Sequence, residues 1–410
     1  MRLRKYACLI FFLCAWSCLG AQDSTNISPP YDSLAQQKDL MDVIRNIFNK
    51  KPSPPKNKLS STAVLPAIGY NPSIGFLLGI NFVRSSYYGD PSNTKLSVAQ
   101  LDVSATTKKL IIARFRHNIF RANNKWNLQG NWQYMRNYIL DYGLGEEAAK
   151  DPPVDYPIRF NYFRFTEKIY RELSNTFFAG LGVSFDLRNN IDDEKLDSGL
   201  QTPHYRYSVE NQFNPEKYNV CGFILNFQYN TREHPNRSFG GVYADLNLRY
   251  NTKLIGSTKE SAQLYTELRK YFSLSRKNPE HVLAFWYWGS FLLWGDLPYI
   301  ELAGTAYDTY NRSGRGYTFA RFKGPEFAYG EVEYRIPISQ VSKLFSAVVF
   351  ANFQSASDGK NISLFDRIDP GYGAGIRIQF NKRARTNICL DYARGRYGSS
   401  GIFFALNEAF

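Results

Sequence analysis

The stretch that decides the fold is Tyr243-Ala244-Asp245-Leu246-Asn247-Leu248-Arg249-Tyr250. Its odd-numbered residues from Asp245 to Arg249 are polar, and its even-numbered residues are apolar or aromatic. Side chains of a β-strand alternate between its two faces, so this period of two indicates a strand with one polar and one apolar face. The stretch 329–337 repeats the pattern, with two glutamates and an arginine on its polar face.

Composition separates two ways of using such strands. Of the 410 residues, 31 are Phe and 29 are Tyr, many of them at strand ends. In a soluble sandwich the apolar face points to a core, whereas in a membrane barrel it points to lipid and aromatic girdles mark the interfaces. Residues 282–295 form the longest apolar stretch beyond the N-terminus. It is shorter than the roughly 20 residues of a spanning helix. We therefore expect transmembrane strands.

The turn residues divide the chain into sixteen strands, which predicts an all-β, sixteen-stranded antiparallel transmembrane barrel. The predicted strands are 62–69, 74–84, 94–105, 109–118, 125–136, 159–170, 175–187, 217–230, 240–251, 261–272, 280–292, 327–337, 344–354, 371–380, 385–394 and 401–410. Long outer links are expected at 137–158, 188–216, 293–326 and 355–370, and short inner links at 171–174, 338–343 and 381–384. This asymmetry is typical of outer-membrane barrels, and it places both chain ends on the periplasmic side.

The N-terminal residues precede the predicted barrel of residues 61–410. Residues 1–21 have a basic start, an apolar run and small residues before Gln22, as in an export signal. Their removal would lower the net charge from +14 to +11, because three basic residues and no acids leave. Residues 22–60 predict a periplasmic tail, with an amphipathic helix capped at Asp32-Ser33 and running to about Lys50, then a Pro-rich linker at 51–56. The helix is expected either to rest on the periplasmic rim or to plug the lumen.

Residues that could act in catalysis or bind a metal are scattered along the sequence. His117, His204, His234 and His281 have no nucleophile or second metal ligand near them in sequence, and Cys221 and Cys389 are distant from each other. No glycine-rich phosphate loop follows a strand. We therefore expect no enzymatic activity, no metal, no cofactor and no nucleic-acid partner.

Three passages resemble motifs of one known family. They are Asn230-Thr231-Arg232-Glu233-His234-Pro235 with Gly240-Gly241 after it, Gly314-Arg315-Gly316-Tyr317, and Glu331-Val332-Glu333-Tyr334-Arg335-Ile336-Pro337. In this order and at these strand positions they resemble the outer-membrane assembly and translocation superfamily that includes BamA, TamA and two-partner-secretion transporters, also called the bacterial surface antigen family. The likeness covers about 225–410 and is weaker at 66–72. It implies a barrel that assists the insertion or translocation of polypeptides.

The resemblance also assigns site residues. It marks Arg232, Pro235 and Gly240 as members of a periplasmic turn motif between the eighth and ninth strands. The terminal Phe410 resembles the aromatic residue that commonly ends such barrels, although Glu408 interrupts the apolar register of the last strand.

In that family the motif at Gly314, Arg315, Gly316 and Tyr317 is the tip of a sixth outer loop that folds into the lumen. The family's partners for the arginine correspond here to Glu333 on the twelfth strand and Asn352 on the thirteenth, where the family usually has aspartate. An arginine fork pairs well with carboxylates, and glycines let the backbone approach the wall. We expect Arg315 to pair with Glu333 and so to fasten the loop to the barrel wall. We call this contact the latch, and we expect it to have one negative charge fewer because asparagine replaces aspartate. The alternative is a solvated Arg315 in an exposed loop.

Two functions remain open. The first is the insertion or translocation of polypeptides. It would use a weakly paired seam between the first strand, which contains Pro66, and the last strand, which would open and pair with a client strand. Residues 22–60 are too few for the POTRA modules that collect clients in the family, so periplasmic accessory proteins would have to supply client barrel proteins. The second is a passive diffusion channel or a structural outer-membrane subunit. In both cases the surface meets outer-membrane lipid and lipopolysaccharide.

Overall fold

The structure, a computed structural model, describes residues 37–48, 60–71, 75–151, 153–196, 199–382 and 385–410. Its strands in chain order are β1 (Ser60–Asn71), β2 (Gly75–Ser86), β3 (Ser97–Thr106), β4 (Ile111–Phe120), β5 (Trp126–Asp141), β6 (Tyr156–Ser174), β7 (Phe177–Asp193), β8 (Tyr218–Asn230), β9 (Gly241–Asn251), β10 (Ser261–Ser273), β11 (Val282–Gly295), β12 (Ala303–Gly304), β13 (Lys323–Gly324), β14 (Glu326–Pro337), β15 (Phe345–Ala356), β16 (Asp369–Asn381), β17 (Thr386–Arg394) and β18 (Ser400–Leu406). The α-helices are α1 (Leu40–Ile47) and α2 (Pro203–Glu210).

Sixteen of these strands form one closed antiparallel barrel, which confirms the predicted fold class and strand count. Each strand pairs with its neighbour in sequence, except that β11 pairs with β14 across the long loop that carries the β12–β13 ribbon. In the described part of the chain, no helix is long and apolar enough to cross a membrane.

The alternation read from the sequence sets the two faces of the wall. On β14, Glu331, Glu333 and Arg335 point into the lumen and are at most 2% exposed, whereas Val332 points outward and is 37% exposed. The same polar-in, apolar-out division is the one expected of a wall that faces lipid. Charged and aromatic side chains fill much of the lumen, and aliphatic residues such as Ile158, Val220 and Leu302 are buried there as well.

Several boundaries differ from the sequence expectations. The sixth outer loop spans residues 296–325, shorter than the predicted 293–326, because β11 continues to Gly295 and β14 begins at Glu326. The other long links are likewise shortened by longer strands, to 142–155, 194–217 and 357–368. The predicted last strand 401–410 is wrong at its end: β18 stops at Leu406, and residues 407–410 leave the wall.

The N-terminal predictions are only partly covered. Residues 1–36 and 49–59, with the predicted signal, the cap at Asp32-Ser33 and the whole Pro-rich linker, lie outside the described residues. The described helix α1 begins at Leu40, not near residue 33, because Asp39 provides the cap and forms a reciprocal capping box with Asp42.

Helix α1 lies against two turns at one end of the barrel. Lys38 donates its main-chain N–H to the Ser342 carbonyl at 2.8 Å. Lys382 donates its Nζ to Asp42 at 2.8 Å. Ser342 follows β14, and Lys382 follows β16, at the end of the barrel where β1 begins and β18 ends. The contacts put the helix on the rim and not inside the lumen.

The barrel closes where β1 meets β18. Tyr70 aligns with Phe404, and one step back along β1 corresponds to one step forward along β18 in an antiparallel pair. Leu406, the last residue of β18, is therefore level with Ile68. Residues 60–67 of β1 extend past the end of β18 toward the rim.

Candidate functional site: the lumenal latch and the seam

The sixth outer loop carries its glycine-arginine motif into the lumen. Gly314 and Gly316 have φ values of +75° and +101°, which favour glycine. A Cβ on Gly314 would lie 2.3 Å from a Thr305 methyl, so the loop also passes too closely for a side chain. Tyr317 is buried, with its hydroxyl donating to the Pro370 carbonyl and accepting from the Arg396 N–H at 2.9 Å.

Arg315 is 5% exposed and lies among three carboxylates, which rules out the solvated alternative. Its Nη2 donates to Glu333 at 2.6 Å and also to Glu331, and its Nη1 donates to Asp391 at 2.9 Å. The guanidinium carbon lies 3.4 Å from the centroid of the Phe350 ring. The planar fork thus joins the wall at β14 and β17 at the same time.

Asn352 has a different place from the one expected. Its side-chain amide donates to the main-chain carbonyl of Arg315 at 2.9 Å, so it holds the loop backbone and does not pair with the guanidinium. The expected loss of one charge does not follow, since Glu331 and Asp391 supply carboxylates in addition to Glu333.

The latch extends into a larger ionic cluster that sequence reasoning did not assemble. Arg377 on β16 pairs with Asp391 and donates its Nε to Glu408 at 2.7 Å. Arg335 donates its Nε to Glu333 at 2.8 Å. The alternation in 329–337 already put Arg335 on the polar face of its strand, but only the strand register brings residues so far apart in sequence together.

The turn motif closes the rim end of the lumen. Glu233 organises it by accepting from the Phe239 N–H at 2.6 Å and from the Ser238 hydroxyl at 3.0 Å. Phe239 is 7% exposed and joins the lumenal aromatic cluster, and Arg385 from the β16–β17 turn pairs with Glu233 at 3.1 Å. The turn therefore reaches across the barrel end.

The three residues singled out in this turn differ in importance. Arg232 lies over the Tyr243 ring at 4.5 Å and bonds Asn230. Pro235 is exposed in the turn. A Cβ on Gly240 would meet nothing within 4 Å. The glycine that the geometry requires is Gly241, with a φ of +87° and the Thr231 carbonyl 2.5 Å from its hypothetical Cβ.

The outer end is closed by the same long loop. Tyr299 donates its hydroxyl to Asp141 at 2.8 Å, and the Lys323 ammonium pairs with Asp141 and lies over the Tyr299 ring. Leu297 accepts from the Tyr207 hydroxyl of α2 at 3.1 Å. Loop 296–325 thus covers the lumen from its outer opening down to the latch.

The terminal Phe410 lies in the lumen and not on the lipid face where an aromatic end residue of a strand would lie. It is 4% exposed, and its ring centroid is 5.2 Å from that of Trp286. Glu408, which interrupts the apolar register in sequence, is 2% exposed and bonded to Arg377 and Asn387.

Metal chemistry has no visible support in the described residues, where no group of three or more His, Cys, Asp or Glu side chains could hold an ion. Each histidine has one partner at most among acidic side chains, as His117 has with Glu167 at 3.2 Å and His204 with Asp193 at 3.4 Å. Cys221 and Cys389 are free and buried.

The comparisons with known proteins agree with this geometry. A family model described as the Omp85 superfamily domain matches residues 68–399. The chain belongs to the Omp85 superfamily. The resemblance drawn from the three motifs is confirmed. Membership places this barrel in the outer membrane of a Gram-negative bacterium, in the class of barrels that insert or translocate polypeptides. No curated protein matches the chain significantly.

Solved Omp85-type barrels share the fold at low identity. BamA from Haemophilus ducreyi lacking POTRA domains 1-3 aligns with a TM-score of 0.60 and 13% identity, over 86% of this chain and 70% of that one. CdiB from Escherichia coli aligns with a TM-score of 0.55 and 7% identity, over 87% and 63%. CdiB from Acinetobacter baumannii gives 0.50 and 10%, over 85% and 59%. The chain spans less than two thirds of either CdiB.

Proposed function

We propose that this Omp85 barrel handles client polypeptides at the seam between β1 and β18. A client strand pairs first with the free edge of β1, and the seam then opens past Tyr70 so that the pairing extends along β1. The observation that carries the proposal is the register of the seam. Tyr70 aligns with Phe404, and β18 ends two residues further on, so residues 60–67 have no β18 residue beside them.

A free strand edge attracts another strand. Its unpaired N–H and C=O groups are a template for β-augmentation, and an edge inside a bilayer has no water to satisfy them. Pro66 lacks an N–H, so a strand paired permanently with β1 at this position would have one hydrogen bond fewer. Val64 and Ile68 point outward and are 60% and 55% exposed, so a strand added at this edge would have the lipid-facing wall beside it.

The passive-channel alternative is less well supported. A solute would have to pass the loop cover at Tyr299, the latch at Arg315 and the turn at Phe239, each of which is buried in the lumen. All three would have to move for diffusion, whereas augmentation at the seam uses an edge that is already free.

The remaining parts of the proposal concern its setting. We propose that the chain reaches the outer membrane through the signal at residues 1–21, that its work needs no catalytic site, metal or cofactor, and that its clients are outer-membrane barrels or exported polypeptides. Accessory periplasmic proteins would deliver them. The charged rims meet lipopolysaccharide.

A lock across the seam tests the function. Cysteines replace Tyr70 and Phe404 in a chain whose two cysteines outside residues 1–21, Cys221 and Cys389, are serine. In cells depleted of the wild-type protein, oxidation should reduce the amount of assembled outer-membrane barrels or surface-exposed polypeptides, and a reductant should restore it. The control places cysteines at Thr166 and Ser184.

The control pair joins β6 and β7, which are aligned in a wall that the proposal keeps closed. Oxidation there should have no effect. Normal levels of assembled barrels and surface polypeptides with a fully oxidised Tyr70→Cys/Phe404→Cys seam would refute the proposal.

A further inference from the structure

Helix α1 and the residue after it have one apolar and one polar side. At about 100° per residue, the apolar side chains share one side, which we call the apolar face: Leu40, Val43, Ile44, Ile47 and Phe48. The opposite side carries polar residues: Asp42, Arg45 and Asn46. A surface helix with two such sides normally packs its apolar face against the core of its own protein.

The barrel holds the polar side of α1 and not the apolar face. Lys382 at the rim donates its Nζ to Asp42 at 2.8 Å. Every residue of α1 is at least partly exposed, and Ile47 and Phe48 are 70% and 69% exposed. The helix is therefore docked with its apolar face turned away from its own protein.

Polar contacts at the rim allow so short a helix to form. An isolated helix of eight residues is marginal in water. Here Asp39 and Asp42 form the capping box that begins the helix, and Lys382 donates its N–H to the Asp39 carboxylate at 3.0 Å. Lys38 is bonded to the Ser342 carbonyl just before the helix. These bonds present the apolar face at the rim.

The surface next to α1 is the lipid-facing wall. Ile338 and Phe345 are exposed at the inner ends of the outward rows of β14 and β15, which also contain the exposed Val332 and Val349. Val341, in the turn between these strands, is exposed as well. The same turn accepts the hydrogen bond that holds the start of α1. The apolar face therefore adjoins a surface that meets acyl chains.

The charges around the helix fit a phospholipid surface. Residues 37–51 contain four basic and two acidic residues, and both acids accept hydrogen bonds from Lys382. Lys38 is exposed, and so is about half of the Arg45 side chain. Basic side chains beside an apolar face are typical of helices that lie in the headgroup region of a membrane with anionic lipids.

We propose that α1 is an interfacial anchor, with its apolar face in the inner leaflet of the outer membrane and its polar side bonded to the barrel rim. Interfacial helices are buried about 5–10 Å into the boundary between headgroups and acyl chains. Lys38 and Arg45 meet phospholipid phosphates there. Lipid is present at this level whenever the barrel is inserted, whereas a protein partner would have to bind in addition.

Fluorescence quenching measures what covers the apolar face. Ile47→Cys, in the background lacking Cys221 and Cys389, carries an NBD label in vesicles of phosphatidylethanolamine and phosphatidylglycerol. Phospholipids with a nitroxide on the acyl chain, present in both leaflets, should quench this label strongly, and aqueous iodide should quench it weakly. Asn46→Cys is the control, because Asn46 is exposed on the polar side one residue away. Its label should be quenched severalfold less by the nitroxide chains.

A second set of variants removes the apolar face itself. Ile44→Ser combined with Phe48→Ser should lower nitroxide quenching of the Ile47→Cys label severalfold, whereas Asn46→Ser should leave it unchanged. These residues lie outside the barrel wall, and heat-modified electrophoretic migration identifies the folded barrels that are compared.

Two results would overturn the proposal. If the Ile47→Cys label is protected from iodide but not quenched by the nitroxide chains, protein covers the apolar face, either a second copy of this chain or the barrel itself. If iodide quenches the Ile47→Cys and Asn46→Cys labels equally, α1 lies in water. Neither result depends on the seam lock, so the anchor and the proposed function fail separately.

Discussion

The seam and the wall between β6 and β7 of this barrel are built differently. Between β6 and β7 the ladder runs from Ile158 beside Asp193 to Ser174 beside Phe177, nearly the full length of both strands. At the seam, β18 reaches only as far as the level of Ile68. Main-chain hydrogen bonds hold β6 and β7 together. Side chains inside the lumen hold the half of the barrel that contains the seam, which we call the seam half. A barrel can therefore keep one edge free without losing its shape, provided that the lumen supplies the missing bonds.

The largest effect is expected from the latch. Arg315→Ala would leave Glu331, Glu333 and Asp391 buried with one cation fewer, and removal of one member of a buried ionic group costs about 3–5 kcal/mol. We expect a loss of this size in the free energy of unfolding in lipid vesicles, measured by urea titration. Arg315→Lys keeps the charge without the fork and should lose less. A change below about 1 kcal/mol for the alanine variant would contradict a latch that holds the seam half.

The rim turn should separate two adjacent glycines. Gly241→Ala forces a Cβ against the Thr231 carbonyl at positive φ, and we expect a loss of about 1–3 kcal/mol in unfolding free energy. Gly240→Ala, which meets open space, is the control and should be nearly neutral. Equal losses would show that the turn does not close the rim end in this conformation.

The same turn should respond to acid. Burial, with the nearby cations Arg385, Arg232 and Arg237, lowers the pKa of His234 to about 4, and its Nδ1 accepts from the Asn236 N–H at 3.2 Å. The unfolded state then binds the proton first, so stability is complete above about pH 6.5 and is lost as the pH falls toward 4. We expect a loss of up to about 3 kcal/mol in the free energy of unfolding across this window, measured by urea unfolding at each pH.

His234→Gln should reduce this dependence, because glutamine has no proton to bind. A substitution at Thr166 or Ser184 in the wall is the control. Neither side chain titrates in this range, so the pH dependence of stability should be the same as in the wild type. If the free energy of unfolding depends on pH in the same way in wild type and His234→Gln, His234 does not cause the dependence.

The smallest effect is expected at helix α1. Lys382 holds it through Asp42 and through the Gln37 carbonyl at 2.8 Å, and ion pairs near the surface are worth about 0.2–1 kcal/mol. Lys382→Ala should make the helix modestly more sensitive to limited proteolysis. Lys343→Ala, in the neighbouring turn, removes a lysine that bonds Asn278 instead and should leave the rate unchanged. Equal rates of proteolysis in the two variants would contradict the contact between α1 and Lys382.

What the sequence predicts well is what depends on local alternation. The period of two in 243–250 was sufficient for the fold class, and the order of motifs identified the family. The partners of the latch were harder, because Asp391 comes from a strand whose register the sequence does not state. Phe410 was assigned to a strand end, and its place beside Trp286 follows from the left-handed turn at Asn407, which no periodic pattern reveals.

Hydrogen exchange tests the contrast between seam and wall most directly. In lipid vesicles, amides of residues 60–67 on β1 should exchange much faster than those of residues 162–170 on β6, because only the latter have partners on both sides. Pro66, without an amide, interrupts the first segment. Equal protection in the two segments would contradict a free β1 edge, and with it the proposed use of the seam.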